Sequence, residues 1–255
     1  IVRDKELITS ANFALLDHFG LSRRQINIEG LLTLGLGVTG AVGLFVWVKD
    51  RYYQRWSHQR WHRQDNVLVA LLALSVPLMI VLTEVIYTTL PAVGLLIGSF
   101  YGSVVGALVV LLLSLLIPLG LQTNELTFAV IAIGSLVGSI MAGYARSRED
   151  LARVGIILGM VQAVAFAIVL GGANATGLYS LIGMSLQQGL IGVGWGVIAL
   201  GISPYLEKMF DLITPIRLAE LANPNRPLLK KLAQEAPGTF QHTQFVTTLA
   251  EAGAR

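Results

Sequence analysis

The chain has 255 residues, 54% of them hydrophobic and only 13% charged, where an ordinary soluble domain carries about a quarter charged. That balance excludes a soluble globular domain and points to an all-α membrane protein, because a helix satisfies its own backbone polar groups in lipid. The net charge of +3 fits membrane loops rather than a nucleic-acid surface, so no nucleic-acid partner is expected, and the absence of cysteine excludes a disulfide framework, a cysteine zinc site and thiol catalysis.

Residues 1–28 are charged and polar, and ANFALLDHFGL within them reads as a short amphipathic helix closed by Gly20, with His18 on its surface. The opening IVRDKELITS has no initiator Met, no basic start and no apolar signal core, so the chain is expected to be an internal piece of a longer protein. Apolar runs over residues 30–48, 67–87, 126–143, 154–171 and 178–203 are each long enough for a bilayer core of about 30 Å. Residues 90–121 are long for one helix and short for two.

Charge decides the count. Lys49, Arg51, Arg55, Arg60 and Arg63 follow the first run, Arg146, Arg148 and Arg153 follow the one ending at Gly143, and Lys208, Arg217, Arg226, Lys230 and Lys231 follow the last. Short cytoplasmic loops are enriched in such residues. Residues 90–121 must then start and end on the outer side, which requires two crossings or a re-entrant hairpin bent at Ser99–Phe100–Tyr101–Gly102–Ser103. About seven spans result, N-terminus out and C-terminus in. Gly94, Gly98, Gly102 and Gly106 recur every four residues, a pattern that suits either one continuous helix face or two short helices packed closely on neighbours.

Ionisable groups inside the spans are few. Glu84 sits near the outer end of its helix and reads as a snorkelling or packing carboxylate or, alternatively, as an intramembrane ligand. Gln162, Gln187 and Gln188 read as interhelical hydrogen-bond glue. His58 and His62, at i and i+4 in RWSHQRWH, have a metal-binding spacing, but Asp65 is the only nearby carboxylate and the Trp and Arg neighbours suit a membrane-surface belt.

Beyond the last span, Pro204 and Pro215 punctuate the exit, ANPNRP forms a turn, LLKKLAQEA is an amphipathic helix too short to span, and Thr239 can cap a further helix carrying His242. The stretch TPIRLAELANPNRPLLKKLAQEAPGTFQHTQFVTTLAEA resembles the membrane-to-catalytic junction of the seven-transmembrane HD-domain phosphohydrolases, the family of PgpH-type cyclic-di-AMP phosphodiesterases. The resemblance is dense over residues 214–252, in the NPN-P turn (Asn223, Pro224, Asn225, Pro227) and the EAPGT box (Pro237, Gly238). It implies that residues 1–28 are the tail of an extracellular domain, 29–205 the bundle, 206–238 a cytoplasmic connector and 239–255 the first helix of a truncated HD domain.

The resemblance further implies that His242 is the first ligand of a divalent metal pair, Mn or Fe. The His-Asp dipeptide of that site is missing from these 255 residues, so catalysis is expected to need residues from elsewhere in the parent protein. The implied role is the sensor and anchor of a cyclic-di-AMP phosphodiesterase in second-messenger signalling, multi-pass in a bacterial-type inner membrane. Its expected partners are the lipid bilayer, a cyclic dinucleotide, and a homo-oligomer or larger membrane complex. The alternative is a small-molecule carrier or ligand-binding membrane module without catalytic activity, built on residues 90–121 and Glu84.

Overall fold

The computed structural model describes residues 28–56, 61–83, 87–121, 124–172 and 177–254, and the regular structure among them is helical throughout. Two compact units divide the chain, Ile1–Val48 and Lys49–Arg255. Helix α1 (Ile28–Trp56) begins in the first unit, where Leu31, Leu36, Val42 and Trp47 are all exposed. A helix apolar all round is suited to lipid rather than water.

The second unit holds α2 (Arg63–Leu82), α3 (Leu90–Tyr101), α4 (Ser103–Gly120), α5 (Glu125–Ala142), α6 (Arg148–Gly172) and α7 (Leu178–Met209), followed by α8 (Pro215–Leu221), α9 (Pro227–Glu235) and α10 (Pro237–Ala254). Among the described residues six helices are long and apolar enough to cross a membrane, and α3 is a shorter apolar one. Seven apolar helices match the expected number.

The run 90–121 divides as its glycines and the charge balance require. Gly102 adopts φ +90°, a conformation that only glycine takes easily, and it separates α3 from α4. With 12 residues, α3 is about 18 Å long and cannot cross a bilayer core of about 30 Å. Its N-terminal Thr89 meets Ser75, in the middle of α2, at 3.0 Å between hydroxyls. At its other end the Tyr101 hydroxyl donates to Asp65 at the start of α2 (3.0 Å). The chain therefore re-enters the bundle before α3 begins, and α4 makes the full crossing back.

Every residue of α3 is buried, and α2, α4, α5, α6 and α7 all pack against it. Lipid tails are as apolar as leucine, so such burial is driven by close packing rather than by escape from water. The glycine ladder supplies it. A Cβ on Gly94 would lie 2.9 Å from the Ser135 carbonyl of α5, one on Gly98 would overlap the Ser139 carbonyl, and one on Gly106 would come within 2.7 Å of Gly98 Cα. The ladder thus serves two short segments packed on neighbours rather than one continuous helix. Helices α6 and α7 approach as closely, with Gly155 against Gly196 and Gly159 against Gly189.

Helix boundaries depart from the sequence reading at α2 and α10. Helix α2 runs from Arg63 to Leu82 rather than over 67–87, because Asp65 caps its start by accepting the His62 amide (2.6 Å). Glu84 lies outside the described residues, as do His18, His58 and residues 1–27 of the expected extracellular tail. Pro204 lies inside the helix that leaves the bundle. Helix α7 continues through it to Met209 and stops only near Asp211, whose φ is +48°, since the single backbone bond a proline removes is tolerated at a membrane helix. Finally, α10 starts at Pro237 rather than after Thr239, because proline's fixed φ favours the first helical position.

Candidate functional site at the basic end of the bundle

The helix ends that carry Arg63, Arg146, Arg148 and Lys208 lie on one side of the bundle, here called its basic end. The Ser103 hydroxyl donates to the Ile140 carbonyl (2.7 Å), which ties the start of α4 to the end of α5 there. On the same side Trp61 stacks beside Tyr101 (ring centroids 4.7 Å apart), donates its indole N–H to Asn66 and lies 5.4 Å from the Lys49 ammonium. His62 is the residue before α2 and not a member of a helix, and its i, i+4 partner His58 lies outside the described residues. Its Nδ1 lies 3.9 Å from the capping carboxylate of Asp65, and that carboxylate also holds Tyr101.

The densest polar assembly joins three elements. Arg148, at the start of α6, donates to Glu207 near the end of α7 (3.0 Å) and to Glu220 on α8 through Nε (2.6 Å) and Nη2 (3.3 Å). Glu207 is 3% exposed. A carboxylate so deeply buried costs several kcal/mol in desolvation and persists only when its oxygens are paired. Here Arg148 takes Oε2, while the hydroxyls of Thr214 (3.1 Å) and Ser203 (3.3 Å) donate to Oε1.

Thr214 does two things at once. It donates to Glu207 and accepts the Arg217 amide (3.0 Å), so the buried carboxylate and the N-cap of α8 share one hydroxyl. Arg217 in turn donates to the Leu212 carbonyl (2.8 Å) and the Asp211 carboxylate (3.2 Å), fixing the tight turn between α7 and α8. The chain leaving the bundle is thereby locked to the first turn of α6. The start of α8 is thus tied to Glu207 through Thr214 and to Arg148 through Glu220.

The sequence reading counted Arg148 as a topology charge and did not single out Glu207. The Ser203–Glu207 spacing puts both on one face of a helix, but the partner lies 59 residues upstream. Further along, Asn223 accepts the Asn225 amide (3.0 Å) to form the NPN turn, and Pro224 lies within it. Pro227 and Pro237 start α9 and α10, with Gly238 in the first turn of the latter. His242 is exposed on α10. Among the described residues no three His, Cys, Asp or Glu side chains converge on a metal position, so the groups present do not by themselves fit a metal pair.

Comparison with known proteins decides the family. The family described as a 7TM receptor with intracellular HD hydrolase matches residues 31–214. The chain belongs to that family. It is 41% identical over 261 aligned residues to an uncharacterized protein of Synechocystis sp., slr0104, covering 100% of this chain and 31% of that protein. It is also 35% identical to the cyclic-di-AMP phosphodiesterase PgpH of Listeria monocytogenes over 52% of this chain and 18% of that protein. The corresponding protein of Bacillus subtilis is 33% identical over 47% of this chain and 17% of its own length. The chain therefore spans less than a third of the curated relatives it matches. No solved structure matches. As a member of this family the chain is a multi-pass membrane protein, and the Arg148 node stands where its bundle meets the segment that follows.

Proposed function

We propose that this chain is the sensor and anchor of a metal-dependent phosphodiesterase that hydrolyses cyclic di-AMP, set in a bacterial inner membrane with its basic end in the cytoplasm. The observation that carries the reading is the Arg148–Glu207–Glu220 node, which couples the ends of two spans to the connector. The orientation draws support from the clustering of Lys and Arg at that end, and the substrate from the names of the Listeria and Bacillus relatives. A rearrangement among the spans changes the separation of Arg148 and Glu207. Thr214 and Glu220 then carry that change into α8 and through residues 206–238.

In this reading residues 239–255 open the HD domain, and His242 is the first of its metal ligands. A Mn or Fe pair, completed by residues of the longer protein, supplies an activated water and charge stabilisation at phosphorus. Because one histidine is not a ligand set, no catalytic step is assigned to the residues described here.

The test uses the full-length protein in nanodiscs, loaded with Mn. Cyclic di-AMP should be cleaved, His242→Ala should lose both activity and bound metal, and Arg148→Met should retain turnover while changing its dependence on the membrane part. Cleavage of another phosphoester with cyclic di-AMP left intact would remove the substrate assignment. An Arg148→Met protein regulated like the parent would remove the coupling role.

A further inference from the structure

Gln162, Gln187 and Gln188 read as interhelical glue, and the structure gives them three different surroundings. Gln162 donates to the Ile131 carbonyl (3.5 Å), Gln188 is buried with neither amide atom paired, and Gln187 is exposed on the outside of α7. Buried positions of α7 such as Gly189, Gly192, Gly196 and Ala199 share one face, and at about 100° per residue Gln187 lies nearly opposite it. Its carboxamide makes no hydrogen bond to the rest of the described residues.

Depth follows from the register of α6 and α7. Gly155 meets Gly196 and Gly159 meets Gly192, so along these antiparallel helices Gln187 is level with Val164. Arg153, with 67% of its side chain exposed, is level with Ile198 and marks one boundary of the hydrocarbon layer. Tyr179, 93% exposed, marks the other, as aromatics at a membrane interface do. Gln187 stands about 16 Å from the first level and about 12 Å from the second at a rise of about 1.5 Å per residue. A bilayer core is about 30 Å thick, so this amide faces outward close to the midplane. Lipid tails there offer it neither a donor nor an acceptor.

The outward line through Gln187 also differs from the lipid face of its neighbour. Along its span α6 exposes Ile156, Met160, Val164 and Ile168, all bulky and apolar. On α7 the line runs Gly183, Gln187, Leu190, Gly194, Val197 and Gly201, each of them exposed, at alternating steps of four and three residues. A Cβ on any of these three glycines would meet nothing within 4 Å. Packing within one chain therefore does not require them, and glycine is a poor helix former. Leu186 and Ile198 flank the line on either side, which leaves a shallow groove down the outside of α7.

That spacing is the seam of a two-stranded parallel coil, in which a single polar residue fixes register and stoichiometry. Two copies in one bilayer share an orientation, so a two-fold axis along the membrane normal sets α7 parallel to α7 and Gln187 against Gln187. A carboxamide is both donor and acceptor, and the pair satisfies itself. Leu190 of each copy then reaches beside Gly194 of the other. With leucine in the seam the axes stay about 8–10 Å apart, which leaves room for a methyl on Gly194 but not for an indole.

We infer that the outer face of α7 is the interface of a homodimer, with a second copy of this chain seated along Gly183–Gly201 and the two Gln187 amides bonded to each other near the midplane. Both connectors then leave the membrane from one central pair of helices. The inference goes beyond the function proposed above and does not rest on it.

The test reads contact between copies with no nucleotide present, so its outcome is independent of the phosphodiesterase reading. These 255 residues contain no cysteine, and any cysteine elsewhere in the full-length protein is replaced by serine. The protein is reconstituted in vesicles of phosphatidylethanolamine and phosphatidylglycerol with lipid in large excess. Leu190→Cys should form a disulfide-linked dimer on mild oxidation. Met184→Cys, also exposed but turned about 100° from the seam, should not. Adding Gln187→Leu to the Leu190→Cys protein should weaken dimerisation about 3- to 30-fold, the range of one interhelical hydrogen bond in a membrane. Gly194→Trp should abolish the cross-link. Gly194 meets nothing within 4 Å in its own chain and Gln187 is exposed, so both variants should keep the parent's circular dichroism, which separates a lost interface from a lost fold. Equal cross-linking at positions 184 and 190, no cross-link at 190, or a Leu190→Cys dimer unaffected by Gln187→Leu and Gly194→Trp overturns the proposal.

Discussion

Arg148 and Glu207 meet at 3.0 Å, with the Glu207 side chain 4% exposed, while Glu220, the other partner of the same guanidinium, is 42% exposed. The two carboxylates therefore differ in what their loss should do. Arg148→Met strands Glu207 in the interior and should cost about 3–5 kcal/mol of stability. Glu220→Gln should cost less than about 1 kcal/mol, because an exposed ion pair contributes little. Thermal unfolding of the two variants in nanodiscs distinguishes them, and equal losses would show that Glu207 does not depend on Arg148.

Close helix approach makes a second prediction. Gly98→Ala drives a methyl into the Ser139 carbonyl of α5, whereas a Cβ on Gly194 meets nothing within 4 Å. Overpacking at a rigid backbone contact costs about 1–3 kcal/mol. Gly194→Ala should instead be neutral or slightly stabilising, because alanine is the better helix former. Parallel Tm measurements on the two variants give the comparison.

Gly102 should resist substitution for a different reason. Its nearest neighbour is the Tyr52 hydroxyl at 3.6 Å from a built Cβ, so space is available, but φ is +90°. Gly102→Ala should lose about 1–3 kcal/mol through backbone strain alone. If Gly102→Ala unfolds at the parent's temperature, the break between α3 and α4 does not require this conformation.

Orientation can be read directly, because the chain contains no cysteine. Single cysteines at Ser147 and Asn225 should be shielded from an impermeant maleimide in intact cells and labelled after lysis. A cysteine at Gly177, on the opposite side of the bundle, should be labelled in both. The reverse pattern would put the basic end outside.

Much of the bundle was legible because its signals are local. A run of apolar residues has the length of a bilayer whatever it packs against, and the charge parity that demanded a break near Gly102 needs only the loops on either side. A short first half was one of the two alternatives that the length of 90–121 left open, but the choice between a second crossing and a re-entrant half-helix was not legible, since it depends on where Thr89 meets α2. Pro215 was legible as a helix start because proline's fixed φ suits that position, while Pro204 lies inside a helix that is already built and carries it out of the bundle. The Arg148–Glu207 pair and the unpaired Gln188 were hidden for another reason: each depends on which helix lies alongside, and one sequence does not carry that information at long range. His242 was visible only through the resemblance of its surroundings.

The glycine contacts between α6 and α7 have a mechanical consequence. Where Gly155 faces Gly196, backbone rests on backbone, and where Gly159 faces Gly189 only the short side chains of Val193 and Ala163 stand beside the contact, so little is left to be compressed or to change rotamer. Two rods joined in that way tilt together. Arg148 ends one rod and Glu207 ends the other, so the ion pair closes the same seam at the point where the chain leaves the bundle.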